Sequence, residues 1–259
     1  MSLFSRWFAT IKKGDNDASL WLLTEKVQQR EQIQNEFCER VRSHYDDLNN
    51  ITDDIAELGY EGAAKILKER LPMTTQAQSG ELGEIMATEF TEENLGFKVP
   101  VRRIRYKDGR NMALRGDDFI GVYHNSKDDE LILLKGESKS NANLSKTVIG
   151  DARTVLNRDD GRCTPISLLF VADRLLEGTP SQKALGRKLR NDVALKAMGP
   201  AYIHHAFFTL TGNDSVTILE EDLAAAEKNR IQNVINIRIP DHQSFIKDTY
   251  EKVGKLGNN

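Results

Sequence analysis

The residues able to do chemistry stand close together in one part of the chain. Glu137 and Lys139 end the apolar run Leu131-Ile132-Leu133-Leu134, and the doublet Asp117-Asp118 precedes that run. Charges at the end of a buried strand are costly unless something compensates them. Alternate strand residues share a face, so Glu137 and Lys139 project together while Ser138 points away. "DDFIGVYH" and "ELILLKGES" read as neighbouring strands, so one carboxylate from each can reach a common ion. Two convergent carboxylates with no soft ligand suit a hard divalent cation, Mg2+ or Mn2+. Such an ion polarises a phosphate and generates a hydroxide for in-line attack, and a lysine beside it steers that water or offsets developing charge.

The surrounding elements must hold these groups in place. Three strands are expected at "FKVPVRRIRY", "DDFIGVYH" and "ELILLKGES", joined by "KDGRN" and "NSKDD" as a meander. A helix capped by Ser79 and stopped by Gly96 precedes them. A helix over 142–157, a strand "PISLLFVAD", a helix near 178–195, strands "HHAFFTLTG", "SVTILE" and "NVINIRI", and a helical tail over 242–255 follow. Residues 1–72 read as a helical N-terminal section and residues 73–259 as the core, with "MTTQAQSG" as a polar connector. Phe4, Trp7, Phe8 and Ile11 fall on one side of a short first helix that docks on the protein's own body. From about residue 18, Ile33, Phe37, Val41, Tyr45 and Leu48 continue the helical spacing. The expected architecture is α/β, a mixed central sheet with helices packed on it.

Asp, a spacer, then Glu-x-Lys at the end of an apolar strand, preceded by a helix with acidic residues, resembles the PD-(D/E)XK nuclease superfamily, with its restriction-endonuclease-like core. The resemblance implies metal binding by Asp118 and Glu137, a water-assisting Lys139, and a helical glutamate. "SGELGEIMATEF" offers Glu84, with Glu81 as the alternative. The superfamily's proline before the aspartate is replaced by "RGDD", which leaves Asp117 open as an alternative to Asp118. Asp118 is favoured because it shares a strand face with Ile120 and Val122. Over about residues 80–175 the elements "GELGE", "GDD" and "GESK" also resemble the HamA family of the Hachiman anti-phage defence system. That resemblance implies a Mg2+-dependent deoxyribonuclease effector working with a helicase partner of the HamB kind. The alternative is a nuclease fold that binds DNA or anchors a partner without cutting.

Basic residues supply candidate phosphate contacts: Arg102, Arg103 and Arg105 in the patch "VRRIRYKDGRNMALR", Lys146 and Arg153 on the helix after Glu-x-Lys, and Lys183, Arg187 and Arg190 on a later helix. The net charge of −3 argues against a polycation that seizes nucleic acid unaided. At 259 residues, 39% hydrophobic and 29% charged, the chain can bury a substantial core. Cys38 and Cys163 have no metal or disulfide spacing, and the five histidines show no ligand pattern. No apolar run is long enough to span a membrane, and Arg6 interrupts any leader-like start, so a cytoplasmic location is expected. There is no G-x-S-x-G elbow and no phosphate-binding Gly-Lys loop, so ATP use would fall to a partner.

Overall fold

The computed structural model describes residues 2–125, 130–196 and 198–256. Among them a mixed six-stranded sheet runs in the order β1-β2-β6-β5-β4-β3. Its strands are β1 (Phe8–Gly14), β2 (Ala18–Glu25), β3 (Phe119–Asn125), β4 (Glu130–Asn141), β5 (Ile203–Thr211) and β6 (Gln232–Arg238). The two edges are antiparallel hairpins, β1/β2 and β3/β4, and the four interior strands β2, β6, β5 and β4 run parallel. Strands covered on both faces read as continuous apolar runs, as "LILL" and "HHAFFTL" do.

Helices cover both faces. On one lie α1 (Leu3–Trp7), α2 (Gln29–Ser43), α4 (Thr75–Asn94) and α9 (His242–Val253), where Trp7, Phe37, Met86, Phe90 and Phe245 meet Phe119, Leu134, Phe208 and Ile235. On the other, α6 (Pro165–Leu176) and α7 (Pro180–Leu195) pack on Ile120, Val122 and Leu133. Beside them α5 (Lys146–Leu156) and α8 (Val216–Ala225) pack on Leu20, Phe207 and Val234. The long helix α3 (Leu48–Arg70) is bent at Gly59, whose φ is 71°.

The expected mixed α/β sheet is present, with several local differences. "PISLLFVAD" is helix α6, not a strand: Pro165 occupies a first-turn position where its missing N–H costs nothing, and Leu168, Val171, Ala172 and Leu175 form one buried stripe. "SVTILE" is the start of α8. "FKVPVRRIRY" makes only the isolated bridge Lys98↔Val122 and a 3-10 turn over Arg103–Tyr106, because Pro100 cannot donate to a ladder. Helix α4 begins earlier than expected, at Thr75, with the Thr74 hydroxyl capping Ala77 N–H; Ser79 instead bonds the Ser140 hydroxyl at 2.9 Å. Gly96 does follow its end, with φ 76°.

The N-terminal section is helical over α2 and α3 but not over residues 8–25, which are β1 and β2. Ile11 therefore lies exposed on a strand rather than on the side of α1, whereas Phe4, Trp7 and Phe8 dock on the protein's own body as expected. The expected "NSKDD" turn falls largely on 126–129, outside the described residues. Among the described residues no helix is long and apolar enough to cross a membrane.

Candidate active site

The site forms where β4 leaves the core and β3 enters it. The register pairs Phe119 with Gly136, so the next position outward sets Asp118 across from Glu137. The Asp118 backbone N–H donates to the Gly136 carbonyl at 3.2 Å, and Ser138 N–H donates to Asp118 Oδ2 at 2.7 Å. Glu137 is only 3% exposed, and the ammonium of half-buried Lys139 donates to its Oε1 at 2.5 Å. Helix α4 brings Glu84 to the same place, close enough that Asp118 is the largest charge acting on it. Among the described residues nothing hydrogen-bonds Glu84.

Two glycines, each immediately before a site glutamate, allow this approach. A Cβ on Gly136 would lie 2.3 Å from the Phe119 ring, so a side chain there would push β3 from β4. A Cβ on Gly83 would lie 2.9 Å from Ser138 Oγ and 3.2 Å from Ser140 Cβ, so α4 can press on the end of β4 only with glycine there. The "GE" pairs at 83–84 and 136–137 thus have a packing cause.

The electrostatics of the cluster are those of crowded carboxylates. Burial first, then Asp118, pushes the Glu137 carboxyl up to about 8, although Lys139 opposes this. Burial and Asp118 likewise hold Glu84 well above its ordinary range. Burial raises Asp118 too, against the pull of Ser138 N–H, Lys139 and Arg103. Burial alone would lower Lys139, but the Glu137 and Asp118 carboxylates reverse this and raise it. The site therefore retains protons that free side chains would release, and a bound cation displaces such protons.

A pH dependence follows. Glu137 has a folded-state value above its unfolded one, so its contribution is fully present below about pH 4.5 and is lost as pH rises through about 8. In a chelating buffer, the melting temperature is expected to fall between pH 5 and 8.5 by about 5 °C more in the wild type than in Glu137→Gln. Thermal unfolding of both proteins across that range checks this; parallel curves would contradict it.

The remaining expected residues are distributed differently. Asp117, 0% exposed, points away from the cluster: its Oδ2 accepts from Thr164 N–H at 2.7 Å and from the Thr164 hydroxyl at 3.1 Å. Its Oδ1 lies 3.7 Å from the ammonium of Lys135, also 0% exposed. Glu81 accepts from Tyr45 Oη at 2.8 Å and pairs with Lys107. Arg102 pairs with Glu92 at 2.6 Å and Arg105 with Asp47 at 2.9 Å. Arg153 pairs with Asp222 at 2.6 Å and exposed Lys146 with Glu221 at 2.5 Å. Lys183 and Arg187 are exposed on α7, and Arg190 pairs with Asp173 at 2.6 Å. That helix face flanks Lys188, which meets His124 at the end of β3 remote from Asp118.

Arg103 is the exception in the basic patch. It is 6% exposed, with one guanidinium nitrogen on the Arg115 carbonyl at 2.6 Å and its Nε without a hydrogen-bond partner. Its charge acts on Glu84, Asp118 and Asp117 alike. Lys135 was not among the expected site residues, yet its position two before Glu137 marks it as sharing that strand face.

Comparison with known proteins agrees with these motifs. A family model for HamA matches residues 1–253. The chain belongs to the HamA family. The Hachiman protein HamA of Bacillus cereus is 26% identical over 180 residues, which is 70% of this chain and 62% of that protein. The chain thus matches less than two thirds of that relative's length. Gly80-Glu81-Leu82-Gly83-Glu84, Gly116-Asp117-Asp118 and Gly136-Glu137-Ser138-Lys139, which carry the HamA resemblance, come together around the candidate site.

The carboxylates fit a hard divalent cation in donor type and in charge: loss of solvent raises the proton affinity of all three, and Asp118 raises that of both Glu84 and Glu137. Their spacing is not preset: among the described residues no three His, Cys, Asp or Glu side chains are arranged to hold a metal ion. Glu137 would have to turn from Lys139 to take part.

Proposed function

We propose that the chain is a Mg2+- or Mn2+-dependent nuclease of the PD-(D/E)XK type, the DNA-degrading component of a Hachiman anti-phage system controlled by a helicase partner. The observation that carries this reading is the meeting of Asp118, Glu137 and Glu84 beside Lys139 at the end of β4. Asp118 and Glu137 would hold the cation, with Glu84 as the third carboxylate. The cation would polarise the scissile phosphate and acidify a water. The chain's own residues do the positioning. Ser138 N–H fixes the Asp118 carboxylate, Lys139 supplies an ammonium for the attacking water or the phosphate, and the Arg103 charge offsets that of Glu84 and Asp118. The defence role rests on family membership and on the name of the Bacillus cereus relative.

Mn2+ titration followed by electron paramagnetic resonance tests the cation site without any substrate. The wild type is expected to bind Mn2+, and Asp118→Asn with Glu137→Gln is expected to weaken binding at least tenfold. Equal binding by both would remove the metal from this site. The closed Lys139–Glu137 pair favours one second reading, a nuclease fold that binds DNA or a partner without cutting. In that case DNA would survive while the complex still forms.

A further inference from the structure

The basic residues expected from sequence to meet phosphates are largely committed to internal pairs, but a different set of cations lines an open groove beside the site. The groove has a volume of about 790 Å³ and lies between the end of α3, the first turns of α4, and α9. Lys68, Arg110, Lys247 and Lys255 line it, against the single acid Glu251. Arg110 is held in place by the carbonyls of Leu71 at 2.7 Å and Lys68 at 2.5 Å, and it also meets the exposed Glu69 carboxylate at 3.4 Å, so the uncommitted charge of the groove is carried by its lysines. The side chains of Lys68 and Lys255 make no ion pair among the described residues, and Lys247 meets Glu251 only at 3.8 Å on an exposed helix face. The N-terminus of α4 opens on the same space, with no acidic residue in its first turn.

The groove and the carboxylates share a wall. Gln78 lines the groove, and Glu81 and Glu84 follow it on α4. Tyr250 forms part of the groove, and its hydroxyl meets that of Tyr45 at 2.7 Å, which in turn donates to Glu81. Where α9 begins, the His242 ring bonds the Ser140 hydroxyl at 2.9 Å, one residue beyond Lys139.

We propose that this groove seats one strand of nucleic acid through its phosphates and leads it to Glu84, Asp118 and Glu137; this rests on the nuclease reading. The cations stand around an open space of about 790 Å³ between the ends of two helices, and competition by a duplex decides whether it takes one strand or two. Tyr250 is 5% exposed and offers no stacking face, so the grip is on phosphates and indifferent to base sequence.

The test is fluorescence anisotropy of a labelled 20-nucleotide thymidine oligomer with the full chain in EDTA, so that nothing is cut. The wild type is expected to bind at low salt. Lys68→Glu/Lys247→Glu/Lys255→Glu, all at exposed positions, is expected to weaken binding at least tenfold and to lower the salt slope by about 2, from about 0.7 per phosphate contact. Lys183→Glu/Arg187→Glu on α7 is expected to bind like the wild type, and a blunt duplex is expected to compete poorly. The proposal is overturned if the wild type does not bind, if the groove variant binds as tightly as the wild type, if the α7 variant loses as much, or if the duplex competes equally. Because binding is read without metal, failure here leaves the nuclease reading standing. Strand binding without any cutting on adding Mg2+ would sink that reading alone.

Discussion

Asp117→Ala is expected to destabilise the protein by about 3 to 5 kcal/mol, whereas Asp118→Ala should cost about 1 kcal/mol and abolish DNA cleavage. The two neighbours sit in opposite environments. Asp117 faces Lys135, and both are fully buried, so removing the carboxylate strands an ammonium whose remaining described bond is to the Arg158 carbonyl at 2.9 Å. The Thr164 N–H that opens α6 would lose its acceptor as well. Asp118 is half-buried among like charges, and its removal forfeits one hydrogen bond, from Ser138 N–H, while relieving the repulsion on Glu84 and Glu137. Urea unfolding and cleavage assays on both variants separate the roles. A stable, inactive Asp117→Ala beside an unfolded Asp118→Ala would reverse the assignment.

The second large effect is expected far from the site. Trp7→Ala should cost about 3 to 5 kcal/mol, as for other fully buried aromatics. The Trp7 indole is 0% exposed, lies 4.4 Å from the Phe8 ring and 4.9 Å from that of Phe37, and donates to Glu25 at 2.6 Å. Phe245 of α9 closes over it at 5.8 Å. One residue of the first helix thus ties together the N-terminal hairpin, α2 and the last helix. Because β2 pairs with β6 in the same sheet, residues 1–72 are expected to unfold with the rest in one calorimetric transition, lowered by about 6 to 15 °C in Trp7→Ala. A separate early transition confined to the wild-type N-terminal section would contradict this.

The legibility of the sequence follows from the same particulars. The strand ending in Glu137-x-Lys139 could be read because alternation and an apolar run coincide there, and the Asp118 pairing follows from hairpin register. The doublet at 117–118 is ambiguous in sequence because only the fold sets Asp117 beside Lys135, a buried lysine that needs a carboxylate of its own. Strand β2 falls where the sequence alone suggests helix because "ASLWLLTE" is a short apolar run whose period fits either element, and only its pairing with β1 and β6 decides. "PISLLFVAD" failed for the same reason, although Pro165 after Thr164 was a usable sign of a helix start. The arginines of residues 101–115 looked like a phosphate patch because sequence reports charge but not its partner. Glu92, Asp47 and the carbonyls of Ser43, Lys68 and Leu71 lie elsewhere in the chain and claim them only in the fold.

The most direct measurement is DNA degradation by the chain assembled with the proposed helicase partner, in Mg2+ and ATP, comparing the wild type with Glu137→Ala/Lys139→Ala. DNA is expected to disappear with the wild type and, over the same interval, to survive at least a thousandfold better with the double variant. Intact DNA with both proteins, in a complex that still assembles and binds DNA, would contradict the nuclease account and leave a binding module in its place.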